Sequence, residues 1–289
     1  MTNKDFKGFI GLDLDGTVFN NKKQISDKVI DSIKSAIDLG FVVAPVTGRP
    51  TNGLPVEFME IPGVTYAITA NGATALRFTD YKNNEFEILH SDLMKEDKVI
   101  EILEILEDYV CVPDCFVNGK GHMPTFAKEM VPRLGLTKEM TEYILSLRDF
   151  YDDLKDYVRD IHDKVEKITI NFYLNEDGLV EKERAREALL KVKDIKIVSG
   201  AKHNLEINNS TVGKGEGILR LCEKLSIPKE RTCAIGDDEN DLDMITKAHF
   251  GVAMENASDE IKKQADFVTL SNEDDGVAYA IEKFVQDIL

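Results

Sequence analysis

FIGLDLDGTV, residues 9–18, is an apolar run that ends abruptly in Asp13, Leu14, Asp15, Gly16 and Thr17. A strand buried on both faces of a parallel sheet reads this way where it delivers polar side chains to the sheet's carboxyl edge. That edge is where open α/β sheets bind ligands. Period-two alternation sends the carboxylates of Asp13 and Asp15 off the strand on one side, close enough to share a cation or to divide nucleophilic and acid–base duties. The plain alternative is an ordinary Asp-Gly turn, and the rest of the chain decides against it.

The 289 residues, 43% of them hydrophobic, suffice for one large or two ordinary globular domains. A formal net charge of -17 gives a field that repels polyanions, so nucleic acid and anionic membrane are poor partners. A small phosphate is still admissible, because salt screens distant charge beyond about 8 Å and leaves the local site to decide. MTNKDFKGF carries no apolar leader segment and no stretch approaches a membrane span, which points to the cytoplasm. Cys111, Cys115, Cys222 and Cys233 read as buried reduced thiols, since the first two form a lone pair with no second Cys or His pair at zinc spacing.

Working outward, Ser26 can cap a helix with Val29, Ile30, Ile33 and Ile37 at helical spacing and Gly40 as its stop. The strand Phe41 to Val46 follows, predicted parallel to the first, and ends in Thr47, Gly48 and Arg49. A hydroxyl and exposed backbone amides there suit phosphoryl oxygens. A third strand, Thr65 to Ala70, ends in Asn71 and Gly72, and a β-hairpin is predicted around Asp80 to Asn84.

From about Ser91 the texture changes to charged helical stretches interleaved with short strands, and no catalytic motif is visible. Charge runs such as Glu181 to Arg186 read as solvated helix faces. This segment is far longer than one crossover needs, so it is predicted to be an inserted domain. The expected division is a core of 1–90 and 207–289 with an insertion of 91–206. The chain returns through Leu205 to Ile207 to Lys214, which precedes a helix, and the strand Arg231 to Ile235 is followed by Gly236, Asp237, Asp238, Glu239, Asn240 and Asp241. Four acids so close repel one another unless a cation or solvent screens them.

DLDGT, the Leu205, Glu206, Ile207, Val212, Lys214 and Gly215 pattern, GDDENDLDM and GVAMENA follow one another as in the haloacid dehalogenase superfamily, which this chain resembles. The insertion is similar to the cap of the Cof-type branch. Two departures are Thr211 and His249, both where the family commonly has glycine.

The resemblance implies a doubly wound α/β core with an inserted α+β cap. It further implies a cytoplasmic, Mg²⁺-dependent phosphomonoesterase acting on a small phosphorylated metabolite through an aspartyl phosphate, as a monomer or small homo-oligomer. Asp13 would be the nucleophile and Asp15 the acid–base group, with Thr47 and Lys214 completing the catalytic set. Gly16, Thr47, Gly48, Asn71, Gly72, Lys214 and Asn240 would hold the phosphate. Asp13, Asp237 and the Asp15 backbone would hold the metal, with Asp241 supporting them from behind. A phosphotransferase or mutase would use the same residues with a sugar hydroxyl as acceptor. A receiver-like regulatory module also uses Asp, Thr and Lys but lacks the second Asp of the opening motif.

Overall fold

The computed structural model describes residues 6–289. Residues 1–5, on which the leaderless reading partly rests, lie outside them. The described chain forms two compact units. The first comprises the described residues up to Gly48 together with Leu54–Ser91 and Gly213–Leu289. The second comprises Arg49–Gly53 and Asp92–Val212.

In the first unit five parallel strands lie in the order Phe267–Val268, Phe250–Ala253, Thr232–Gly236, Gly8–Leu12, Phe41–Pro45. Every residue of the interior strand Gly8–Leu12 is buried, so both faces of the sheet must be covered. Alternation divides the duty. Ile10, Leu12, Val43, Cys233 and Ile235 pack with Val29, Ile33 and Ala36 of the helix Asp27–Asp38 and with Ile281 and Phe284 of Gly276–Ile288. Phe9, Val42, Ala44 and Ala234 pack on the other side with Ile218, Leu221 and Cys222 of Lys214–Leu225. Ser26 caps its helix as predicted, its Oγ accepting from the Val29 amide at 3.2 Å.

The predicted hairpin is present as Thr74–Asp80 and Glu85–Ser91. The third strand, Tyr66–Thr69, pairs mainly with this hairpin in a separate antiparallel sheet and touches the parallel sheet through one bridge, Val46 to Ile68.

The second unit holds a six-stranded sheet in the order Ile195–Val198, Asn204–Asn209, Val165–Asn171, Val112–Val117, Lys120–Pro124, Arg148–Tyr151. Cys115, Val117, Ile168, Ile170, Leu205 and Ile207 alternate onto one face and pack with the helices Glu96–Leu106, Leu154–Ile161 and Glu176–Leu189. The other face carries charge. Arg148 Nε pairs with Asp114 at 2.9 Å and Lys167 Nζ with Glu206 at 2.9 Å, and both cations lie over the Phe116 ring. Burying such groups is tolerable only when they are paired.

Two sequence expectations need correction here. The return to the first unit falls at Gly213, not 207, because Leu205 to Ile207 belong to a strand paired on both sides within the second unit's sheet. The run Glu181 to Arg186 is not wholly solvated, since Lys182 is buried and its Nζ donates to the Lys202 carbonyl at 3.0 Å.

All four cysteines are free and buried. Burial pushes the Cys111 and Cys222 thiols up to about 12 and raises those of Cys115 and Cys233 as well. Since the thiolate is the reactive form, native protein is expected to resist alkylation by iodoacetamide and to take up four labels only after denaturation. Mass spectrometry with and without denaturant checks this, and rapid native labelling would contradict the packing.

Candidate active site

Backbone hydrogen bonds lace the strand ends of the first unit into one edge. The Asp13 amide donates to the Ile235 carbonyl at 3.0 Å and the Val46 amide to Leu12 at 2.8 Å. The Thr47 amide donates to Ile68 at 2.9 Å, and Asn71 returns a bond to the Thr47 carbonyl at 3.0 Å. Asp13, Thr47 and Asn71 are thereby placed by main chain, before any side-chain contact is counted. All three are buried.

Lys214 is the first residue of its helix and is 1% exposed. Its Nζ donates to Asp13 Oδ1 at 2.6 Å and to Asp241 Oδ1 at 2.5 Å. The turn at Asn71 and Gly72 packs against the start of this helix. Gly72 has φ +100°, and a Cβ there would meet the Gly213 carbonyl oxygen at 2.1 Å, so only glycine fits. The Asn-Gly pair thus serves both as a turn between antiparallel strands and as a site wall.

Asp241 is 0% exposed and has both oxygens engaged. Oδ1 takes Lys214, while Oδ2 accepts the amides of Asp237 at 2.9 Å and Asp238 at 3.0 Å. It therefore shapes the acidic loop and holds Lys214 in place. Asp237 receives the Thr17 hydroxyl on Oδ1 at 2.6 Å. Gly16, with φ +87°, lies so close that a Cβ would meet Asp237 Oδ2 at 2.3 Å.

The electrostatics follow from this crowding. Burial, then Asp241, raises the Asp13 carboxyl well above its usual range, and Lys214 opposes them. Burial and Asp241 likewise raise Asp237 to about 7. Burial disfavours the Lys214 charge, but Asp13 and Asp241 outweigh it and hold the ammonium protonated. Asp13, Asp237 and Asp241 can bring carboxylate oxygens within 4.8 Å of one another. An all-oxygen, negatively charged set of this kind fits a hard divalent cation such as Mg²⁺.

Among the remaining predicted residues, Asp15 is exposed and its Oδ1 pairs with Lys23 at 3.0 Å. Gly48 closes the first segment of the first unit, and Asn240 is half-buried on the Glu239–Asp241 turn. Thr17 and Asn256 went unassigned in the sequence, although both stand in quoted motifs. Thr17 follows the Asp-Gly pair directly, which was the available signal. Asn256 Nδ2 donates to the Gly16 carbonyl at 2.9 Å, and only the fold brings these residues together.

A sequence model of the haloacid dehalogenase-like hydrolases matches residues 10–281. The chain belongs to that family. Phosphatase YwpJ of Bacillus subtilis (strain 168) is 30% identical over 290 residues, spanning 94% of this chain and 98% of that protein. The 5-amino-6-(5-phospho-D-ribitylamino)uracil phosphatase YwtE of the same organism is 29% identical over 96% of this chain and 97% of its own. The solved structure of a haloacid dehalogenase-like hydrolase from B. subtilis shares the fold with a TM-score of 0.81 and 28% identity, covering 95% of this chain and 99% of that one. This haloacid dehalogenase-like hydrolase is thus an enzyme of the phosphoric monoester class and Cof-type branch that its motifs imply. Among the described residues no helix is long and apolar enough to cross a membrane.

Proposed function

We propose that the chain is a Mg²⁺-dependent phosphomonoesterase that cleaves a small phosphorylated metabolite through an aspartyl phosphate on Asp13. The observation that carries the reading is the Asp13 carboxylate, buried, clamped by Lys214 at 2.6 Å and grouped with Asp237. Asp13 and Asp237, with the backbone carbonyl of Asp15, would hold the ion. When bound, the ion neutralises charge on the phosphate and allows an anionic nucleophile to approach it.

The chain's own groups then do the rest. Lys214 orients Asp13 and offers its positive charge to the phosphoryl oxygens, together with the Thr47 hydroxyl and the Gly16, Gly48, Asn71, Gly72 and Asn240 region. Asp13 attacks phosphorus, the P–O bond to the leaving group breaks, and Asp15 protonates the departing oxygen. Ionised Asp15 next takes a proton from water, which attacks the acyl phosphate, releases phosphate and regenerates Asp13. An exposed ion pair such as Asp15–Lys23 is worth roughly 0–1 kcal/mol, so the carboxyl can leave Lys23 at little cost. The second unit is proposed as the cap that reads the leaving group and excludes bulk water.

Hydrolysis of p-nitrophenyl phosphate is expected with Mg²⁺ and not with excess chelator. Ca²⁺ is expected to inhibit, because its larger and looser shell misplaces nucleophile and phosphate. Full activity in chelator overturns the metal assignment, and no activity under any divalent ion overturns the reading.

A further inference from the structure

Asn256, in the loop after the strand Phe250–Ala253, uses both ends of its side chain. Nδ2 donates to the Gly16 carbonyl at 2.9 Å and reaches Asp237 Oδ2 at 3.4 Å. Oδ1 accepts the Asn272 amide at 3.1 Å. The partners fix the orientation, because a carbonyl demands a donor and an N–H demands an acceptor. Asn272 in turn donates from Nδ2 to the Phe19 carbonyl at 2.9 Å, and its neighbour Glu273 accepts the Asn21 amide at 2.6 Å. The segment after Asp15 is therefore tied to residues 272–273, and those are tied through Asn256 to the two loops that bear Asp13 and Asp237.

Bland solvation does not account for this pattern. Asn256 is exposed, yet it links three separate loops. With Thr17 on Oδ1 of Asp237 and Asn256 at Oδ2, that carboxylate is fixed at both oxygens. Gly16 is at left-handed φ with no Cβ to restrict it, so its backbone depends on such an external tie. We infer that Asn256 is a positioning residue that sets the Gly16 backbone and the Asp237 carboxylate in one geometry and so raises the site's affinity for a divalent cation. The inference rests on the Mg²⁺ reading above and adds the residue that pre-forms that site.

The test is Mg²⁺ binding by calorimetry on wild-type, Asn256→Ala, Asn256→Leu and the control Glu255→Gln, each with a thermal melt. The Glu255 side chain pairs with Lys262, and its backbone amide, which the substitution keeps, donates to the Leu270 carbonyl at 3.3 Å. Asn256→Ala and the similarly sized Asn256→Leu are each expected to raise the Mg²⁺ Kd about tenfold, the effect of one lost hydrogen bond to a polarised group. The metal-free melting temperature should move by only a few degrees, as for an exposed loop position. At saturating Mg²⁺ the KM for p-nitrophenyl phosphate should stay near wild type. Glu255→Gln should match wild type throughout. Lower melting with unchanged Mg²⁺ Kd in both variants would make Asn256 a structural link only and overturn the inference. Wild-type protein that binds no Mg²⁺ overturns the metal reading and this inference together, so the two failures are distinguishable.

Discussion

Asp13→Asn is expected to reduce turnover to background, whereas Asp15→Asn should leave a protein that can be phosphorylated but not released. The amide at position 13 cannot attack phosphorus and offers one anionic ligand fewer. It is nearly isosteric, and Lys214 keeps Asp241 as a partner at 2.5 Å, so the fold should persist. The amide at position 15 spares the nucleophile and its own backbone carbonyl. It removes the proton donor and later the base, each worth about 10²–10⁴-fold. The lost contact to Lys23 is exposed and matters little to stability. An activated ester whose leaving group needs no proton should still phosphorylate Asp13 in this variant. The acyl phosphate should then persist for want of a base. Intact-mass measurement should show one added phosphoryl group on Asp15→Asn, labile to hydroxylamine, and none on Asp13→Asn. Equal labelling of the two variants would mean that the nucleophile is misassigned.

Those residues were legible in the sequence because their chemistry restricts both residue type and place. An apolar run that stops at Asp13, and another that stops at Gly236 and Asp237, put acids at strand ends where a parallel sheet opens, and the structure keeps that arrangement. Lys214 was legible only by company. Nothing in a loop lysine announces that it is 1% exposed between two carboxylates drawn from distant parts of the chain. Thr17 and Asn256 were harder still, since a hydroxyl and an amide are ordinary loop residues until the fold supplies their partners.

The second unit was the least legible part, for reasons visible in its strands. Lys120–Pro124 reads KGHMP, which lacks β-branched residues, and it earns its place through pairing with Val112–Val117 and Arg148–Tyr151. Glu206 and Lys167 look like surface charges in one dimension, yet they are buried against each other. Leu205 to Ile207 read as the approach to the core because they stand just ahead of Lys214 in the family pattern, and nothing local shows that their strand pairs within the second unit. Arg49–Gly53 shows the same limit of local reading. Its backbone bond from Asn52 to Gly119 and the Tyr143 hydroxyl on the Gly53 carbonyl place it with the second unit, although it follows the first unit's Thr47 and Gly48 directly.

Lys214→Met is expected to abolish activity and to destabilise the protein, and a second substitution should separate the two effects. Methionine fills a similar volume but leaves Asp13 and Asp241, 7% and 0% exposed, without their shared counter-charge. Breaking a buried ion pair by removing one partner costs about 3–5 kcal/mol, because a desolvated charge is left behind. Asp13 can relieve the cost by binding a proton. Burial and Asp241 already raise Asp13 above its ordinary value while Lys214 opposes them, so removing the lysine pushes it higher. A carboxyl with a raised folded-state pKa favours folding below its unfolded pKa and loses that contribution as pH rises through the folded value. The deficit against wild type should therefore be widest near about pH 8 and narrow on acidification to about pH 5. Adding Asp241→Asn to Lys214→Met removes one of the stranded charges and should recover much of the melting temperature at the higher pH. Turnover should not return, because the ammonium that faces Asp13 is still missing. Thermal melts across this pH range, paired with p-nitrophenyl phosphate assays, measure both. A deficit that grows toward acid, or activity restored in the double variant, would show that Lys214 does not act as the buried counter-charge of Asp13.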